Sequence, residues 1–399
     1  MGKGGEQAPS LSGAWVAKVV DKESLPTKKQ IRDAVPAHCF DYSTATALGH
    51  VVRDGCVIAA FAFLAHALLK TEGMGVLDVV GWSLYAFFQG SALTGWWVLA
   101  HECGHGGFSA STALNDAVGW VLHSLLLVPY FSWQYSHAKH HAKTNHLMDG
   151  ETHNPNLKAE VAEAGYVSLA KVIGEEGFAG FQLLTHLLLG WPLYLLMNAS
   201  GARRTYDGKP ITTTLDHFRP SSALFPPSWR ARIEYSAVGI FITLAGLGAA
   251  TLKFGTTAVA CYYWGPYLWV NFWLVLYTWL QHTKEDVPHY GDDEWTWVRG
   301  ALCTIDRPYQ ELGGFFDWMH HHIGSTHVAH HLFSNLPCYH AVEATKHLKA
   351  YLVEKDLYNY DPRGTIQAMW ETAKSCHFVE DANGIQYMKS IFTMVEKKD

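Results

Sequence analysis

The stretch from Val76 to Ala100 constrains this chain more than any other feature. Asp78 and Gln89 are the only strongly polar residues in it. About 20 mainly apolar residues are enough for a helix to cross the hydrocarbon core of a bilayer, and this stretch reaches that length. Because it also lacks a polar face, it does not fit a surface helix of a soluble protein. The sequence therefore predicts an all-α integral membrane protein.

Further apolar stretches complete two predicted transmembrane hairpins. Two shorter stretches contain both histidine and proline, which is more typical of interfacial or re-entrant helices than of spans. Six core helices of a soluble protein are the alternative interpretation. The predicted spans are residues 51–70, 76–100, 236–252 and 258–280, the predicted interfacial helices are 117–133 and 181–197, and the flanking parts are an N-terminal tail, 1–50, and a helical cap, 281–399.

Charge and cysteine content exclude some classes of protein. The formal net charge is -6, with 30 Lys+Arg and 36 Asp+Glu, so a nucleic-acid partner is not expected. The seven cysteines are scattered without a CxxC pair, which favours a reducing compartment over a disulfide framework. Lysines and arginines concentrate before the first hairpin and between the two hairpins. The positive-inside rule therefore predicts that both termini are cytosolic.

Three histidine arrays carry the predicted chemistry. One has HxxxH spacing and two have HxxHH spacing, and helical residues at i, i+3 and i+4 share a face. Imidazole is the commonest metal ligand and suits iron, copper and zinc. His282 ends the fourth predicted span and should emerge at the same membrane face. The nine candidate metal ligands are His101, His105, His137, His140, His141, His282, His327, His330 and His331.

Other histidines compete for the same role. His320, His321 and His322 form a rival third cluster, but the spacing of His327 to His331 repeats that of His137 to His141. Three more histidines could support the ligands from outside or have no role; they are His146, His153 and His289.

Two other functions fit part of the pattern. His101-Glu102-Cys103-Gly104-His105 also matches HExxH, in which two histidines bind zinc and the glutamate is the general base. That interpretation leaves the seven other ligand candidates unexplained. A membrane metal transporter would place its histidines within the spans, whereas these cluster at the ends of spans.

Several longer motifs resemble the membrane fatty-acyl desaturases, and closely the microsomal Δ12 (ω-6) type. They cover nearly the whole chain. The motifs are Pro36 to Phe40, Ala100 to His105, Leu127 to Tyr130 leading into His137 to His141, Gly190 to Tyr194, Asn271 to Thr283, Glu294 to Trp297 with Arg299 to Leu302, and Thr326 to Phe333.

The resemblance implies a complete activity. It implies a fatty acid desaturase domain over residues 51–399, with a diiron centre held by the histidines and O2 as cosubstrate. It implies an acyl-lipid substrate, such as an oleoyl phospholipid, converted to linoleoyl in the endoplasmic reticulum membrane. No His-Pro-Gly-Gly signature occurs in the chain, so the implied electron donor is a separate cytochrome b5.

The resemblance leaves two questions. After Gln281-His282-Thr283 the family usually has Asp or His, but this chain has Lys284-Glu285, so the loop beside His282 departs from the family pattern. An ω-3 desaturase or an acyl hydroxylase would share every ligand, so regioselectivity rests on the resemblance.

Overall fold

The computed structural model describes residues 13–395, and helices dominate this part of the chain. Within it, four two-residue strands form two small sheets, in which β1 pairs with β3 in parallel and β2 pairs with β4 antiparallel. The elements, in chain order, are α1 (Gly13–Val20), α2 (Lys28–Asp33), α3 (Thr44–Leu68), α4 (Val76–His105), α5 (Thr112–Leu125), α6 (Tyr130–Ala142), β1 (Asn156–Leu157), α7 (Lys158–Glu163), α8 (Tyr166–Met197), α9 (Arg230–Phe254), α10 (Thr256–Val259), α11 (Gly265–Leu280), β2 (His289–Tyr290), α12 (Trp297–Leu302), α13 (Phe315–Met319), α14 (His327–Leu332), α15 (Cys338–Val353), α16 (Thr365–Ser375), β3 (Phe378–Val379), β4 (Ile385–Gln386) and α17 (Phe392–Val395).

The first hairpin consists of α3 and α4, joined by a capped turn. The carboxylate of Asp78 accepts hydrogen bonds from the backbone N–H groups of Lys70 and Gly75, each at 3.0 Å, so it holds the start of α4. At the other end, Gly106 stops α4 with φ of 74°, a conformation that favours glycine. Between these stops α4 continues past the predicted span and includes His101 and His105.

The second hairpin consists of α9 and a composite helix. Gly255, with φ of 87°, makes the turn. From Thr256 to Leu280 the chain remains helical, but a π-helical turn at Ala260–Trp264 separates α10 from α11. Pro266 explains the interruption, because it lacks an N–H and leaves the carbonyl four residues earlier without its helical partner.

Four helices are long and apolar enough to cross a membrane: Thr44–Leu68, Val76–His105, Tyr166–Met197 and Pro227–Phe254. Three of these overlap predicted spans. The remaining one contains residues 181–197, which were predicted to be interfacial. The predicted span 258–280 lies in the composite helix that the π turn divides. The predicted interfacial segment 117–133 falls on two helices, α5 and α6, because Pro129 stands at the start of α6.

The two hairpins meet through α4 and α11. A Cβ added at Gly90 would lie 2.5 Å from the carbonyl oxygen of Pro266, so only glycine permits this approach. Beside it, the indole N–H of Trp273 donates to the hydroxyl of Ser91 at 2.8 Å. This close contact aligns the C-terminal ends of α4 and α11, where His101, His105 and His282 lie.

The described part of the predicted N-terminal tail packs against the predicted cap. The described part of residues 1–50 buries Trp15, Val19 and Ile31 in one apolar core with Val328 and Leu348 of the cap. Residues 1–12 and 396–399 lie outside the described residues.

Candidate metal centre

The last turn of α4 and the C-terminal half of α6 form the first side of the site. His101 and His105 are one helical turn apart, and their Nε2 atoms are 3.3 Å apart. On α6 the Nε2 atoms of His137 and His141 are 3.2 Å apart in the same way. The helices can approach because Gly104 has no side chain. A Cβ there would lie 2.6 Å from the ring of Trp133.

Two other elements close the site. His282 follows α11, and its Nε2 lies 3.2 Å from that of His140 and 2.9 Å from that of His327. His327, at the start of α14, precedes His330 and His331 on the same short helix. All nine histidines predicted to be ligands therefore lie around one enclosed region, with the ligand atoms facing one another.

The nine side chains divide into two groups. We name them the five-histidine group and the four-histidine group. In the first, all ligand nitrogens lie within 4.8 Å of one another; in the second this holds for three members, and His327 joins them through its contact with His282. The five-histidine group is His101, His105, His137, His141 and His330, and the four-histidine group is His140, His282, His327 and His331.

Hydrogen bonds fix the tautomers of two ligand candidates. The Nδ1 of His140 lies 2.7 Å from the backbone carbonyl of Glu151, which can only accept, so Nδ1 carries the proton and Nε2 has the free lone pair. The hydroxyl of Thr144 donates to the carbonyl of His140 at 2.8 Å and therefore accepts from Nδ1 of His331 at 3.1 Å. The buried Nε2 of His331 then faces the site with no hydrogen-bond partner among residues 13–395.

Burial keeps these imidazoles neutral. It lowers the pKa of His140 to about 4. Burial first, and then the neighbouring imidazoles, lower the pKa values of His137, His141 and His330 well below the ordinary value. A metal ion binds the unprotonated imidazole. Buried, neutral rings with lone pairs aimed at a common point fit a metal ion, and a cation would satisfy nitrogens that the protein leaves unpaired.

The histidine patterns did not predict the side chains that hold the ligand rings. Trp97 and Trp133 stack on His101 and His137, with ring centres 5.6 and 4.5 Å apart and interplanar angles of 25° and 21°. Each tryptophan precedes its histidine by four residues, one helical turn, so the spacing carried a usable signal. Thr144 is the other overlooked residue.

The rival cluster lies outside both groups. His320 contacts the carbonyl of Ser91 and the hydroxyl of Tyr277, at 2.9 and 2.8 Å. His321 binds the buried carboxylate of Asp54 at 2.8 Å. His322 binds Asp317 at 2.7 Å. This segment therefore anchors the chain before α14.

His146, His153 and His289 are not members of either group. His146 lies near Asp149 and Asp292, and His153 binds Thr278 at 2.8 Å. His289 is buried in β2.

The unusual residues after His282 do not displace it. Lys284 is buried and pairs with Asp286 at 2.6 Å, while His282 remains within the four-histidine group.

In the zinc-protease alternative only His101 and His105 bind metal, and the other seven candidate ligands have no common role. The structure brings those seven into the same region as His101 and His105.

Long apolar helices and this site together define a membrane protein with a buried, histidine-rich centre that could hold metal. The fatty acid desaturase family model matches residues 77–362. The chain belongs to the fatty acid desaturase family, and it is an oxidoreductase.

Three relatives illustrate the similarity. A Delta(12) fatty acid desaturase of Mortierella isabellina is 42% identical, covering 91% of this chain and 90% of its own. An endoplasmic reticulum omega-6 fatty acid desaturase of Brassica juncea is 39% identical, covering 95% and 96%. An oleoyl-12-hydroxylase of Ricinus communis is 40% identical, covering 90% and 88%. Relatives with nearly the same identity to this chain therefore include both desaturases and a hydroxylase.

Proposed function

We propose that this protein is an acyl-lipid Δ12 desaturase, which inserts a cis double bond into oleoyl chains to give linoleoyl chains. The convergence of nine histidines, eight buried and His105 half-buried, carries this proposal. The C–H bonds of an unactivated methylene chain are beyond any side-chain base, so an oxidant is required. Relatives named Delta(12) desaturases, at about 40% identity over most of the chain, support the position of the double bond.

The proposed cofactor is a pair of iron ions. The five-histidine group would hold one ion and the four-histidine group the other, through neutral imidazole nitrogens that suit iron. When bound, the two irons with O2 and two external electrons supply the oxidising power for removing two hydrogens. The hydrogen bonds to His140 and His331 orient those rings, as outer partners of metal ligands do.

The protein itself positions the chain. A narrow inner cavity adjoins His137, between α4, α6, α8 and α11, and its walls include Trp97, Trp133, Leu274 and Val275. Aromatic and aliphatic walls exclude water and favour a methylene chain over polar ligands. Holding one pair of methylenes beside the histidine groups is what regioselectivity requires.

We also propose the surroundings of the enzyme. The spans are α3, α4, α9 and the composite helix from Thr256 to Leu280, with both termini cytosolic according to the charge asymmetry. The relative from Brassica juncea supports the endoplasmic reticulum as the location. A separate cytochrome b5 supplies the electrons, and it approaches from the cytosolic side, where the histidines lie at the ends of the helices.

A hydroxylase is the second candidate. The relative from Ricinus communis is nearly as similar to this chain as the desaturases are, and both reactions begin at the same methylene. The products separate them, since a hydroxylase gives a hydroxy-oleoyl chain and a desaturase gives linoleoyl.

Expression in yeast tests the proposal directly. Yeast membranes contain oleoyl lipids, so gas chromatography of their fatty acids should reveal linoleate. His330→Ala should abolish linoleate, and His347→Ala, a change on the exposed face of α15, should not. Hydroxy-oleate as the main product would favour the hydroxylase, and an ω-3 product from supplied linoleate would overturn Δ12 regioselectivity.

A further inference from the structure

A second cavity lies beyond the inner one. This outer cavity, of about 160 Å³, lies between α8 and the C-terminal segment, and its lining includes Tyr166, Phe181, Gln182 and His377. His186 on α8 lines both cavities. His186 therefore stands where the two cavities come together.

His377 offers a hydrogen-bond donor to the outer cavity. Its Nδ1 accepts from the backbone N–H of Ile391 at 3.0 Å, so the proton of the neutral ring is on Nε2. Burial lowers the pKa of His377 to about 4, although the nearby carbonyl of Ala373 favours the protonated ring. The Nε2–H is buried and has no hydrogen-bond partner in the described part of the chain. An unmade hydrogen bond of this kind is unfavourable, so a ligand oxygen would be stabilised there.

Gln182 adds a second polar group to the same cavity. Its amide nitrogen donates to the carbonyl of Cys376 at 3.5 Å, and its buried Oε1 has no partner within residues 13–395. Together with His377, it makes one wall polar, while Phe178 and Phe181 make the other wall apolar. This combination suits the place where an acyl chain joins its ester.

The surface beside the outer cavity favours lipid. Tyr166, Phe181 and Leu184 of α8 are 40%, 36% and 61% exposed, an apolar face next to the cavity. Three of the lysines close in sequence to the cavity lining are paired with glutamates. Lys158 and Lys389 each bind Glu380 at 2.8 Å, and Lys374 binds Glu176 at 2.6 Å.

We propose that the outer cavity is the ester-binding subsite for the lipid substrate, with His377 Nε2–H donating to the carbonyl oxygen of the oleoyl ester. The acyl chain then passes His186 into the inner cavity and reaches the histidine groups. This inference rests on the proposed function and adds the residues that recognise the ester end of the substrate.

Two substitutions separate this role from a structural one. His377→Asn keeps an acceptor near Nδ1 for the N–H of Ile391 but has no donor at the position of Nε2. His377→Gln reaches the Nε2 position with an amide N–H but does not reproduce the Nδ1 acceptor. The probes are phosphatidylcholine with an oleoyl ester and its ether-linked analogue, which lacks the carbonyl.

Both probes are supplied together in microsomes containing the wild type or either variant, and desaturation of each is measured by mass spectrometry. We expect the wild type to favour the ester about fivefold, the size of one ordinary hydrogen bond. His377→Asn should lose this preference through a raised KM for the ester, and His377→Gln should keep it. An equal preference in all three proteins, or its loss in the Gln variant alone, would overturn the proposal.

A binding measurement keeps this test independent of the proposed function. Native mass spectrometry of the full-length purified protein compares binding of the ester lipid, the ether lipid and oleoyl coenzyme A, without any need for turnover. If the protein forms no linoleate but still prefers the ester lipid through His377, the proposed function fails and the subsite stands. Tighter binding of oleoyl coenzyme A than of the ester lipid would refute a phospholipid subsite.

Discussion

The two histidine groups are built from neighbouring residues but are held in different ways. Aromatic rings support the five-histidine group, since Trp97 and Trp133 stack on His101 and His137. Hydrogen bonds support the four-histidine group, through the carbonyl of Glu151 and the hydroxyl of Thr144. Helices supply all five members of the first group, whereas His282 of the second follows the end of a helix. The first group should therefore respond to changes in packing and the second to loss of individual polar atoms.

The largest expected effect comes from removing one ligand from each group. His282→Ala leaves three histidines in its group and should reduce linoleate formation by more than about 100-fold, because the remaining ligands no longer complete a site. His105→Ala leaves four in the other group, so we expect it to retain more iron. Iron per chain in purified protein measures the difference, with His347→Ala as the control. Equal iron loss in both variants would contradict this asymmetry.

Replacing a stacked tryptophan should come next. Trp133→Leu removes the ring against His137 and leaves space beside Gly104, so we expect a loss of about 2–4 kcal/mol in stability. Trp133→Phe retains an aromatic face and should lose about half as much. Thermal unfolding of detergent-purified protein measures stability, and iron content shows whether the five-histidine group is affected first. If both variants unfold at the wild-type temperature, the stack does not support this group.

Thr144 tests the hydrogen-bonded group. Thr144→Val keeps the shape of the side chain but removes the acceptor for Nδ1 of His331. Loss of such an outer partner typically weakens metal binding by about 10–100-fold. Thr144→Ser retains the hydroxyl and serves as the matched control. An iron chelator should remove about half of the iron from the Val variant before it removes iron from the wild type. Release from the Val variant at the wild-type rate would contradict the proposed role of Thr144.

The smallest effect is expected at Thr152. Its hydroxyl lies 3.1 Å from Nδ1 of His140, but the carbonyl of Glu151 is closer, at 2.7 Å. Because Thr152→Val leaves that carbonyl in place, we expect less than about a threefold change in linoleate yield. A larger loss would mean that the hydroxyl, and not the backbone, orients His140.

Local patterns predicted the parts of the site that depend on helical spacing. The spacing of the three arrays and the shared membrane face of His101 and His282 were enough to anticipate that nine histidines converge. Their roles as iron ligands remain predictions. The division into five and four depends on the directions of His140 and His141, neighbours that face different partners, and no spacing rule specifies it.

Long-range packing was harder to anticipate. Helix α8 consists of two helical segments that meet at Gly174, whose φ of 72° and ψ of 176° are not helical, and residues 181–197 lie on the second segment. The interfacial prediction for residues 181–197 rested on His186 and Pro192, which interrupt this apolar stretch. The burial of Trp15 and Val19 against the cap depends on residues about 300 positions away, which a local pattern cannot reveal.

Helix α4 is the second arm of the first hairpin. It begins with an exposed apolar turn and ends with the first two histidines of the site. Val76 is 80% exposed, and His101 lies 25 residues further along one unbroken helix, about 37 Å at 1.5 Å per residue. A hydrocarbon core is about 30 Å thick. With α4 spanning the bilayer as proposed, the length of this helix places the two histidine groups in the headgroup layer. Thickening or thinning the membrane would therefore change how deeply the centre is immersed without altering a single contact inside it.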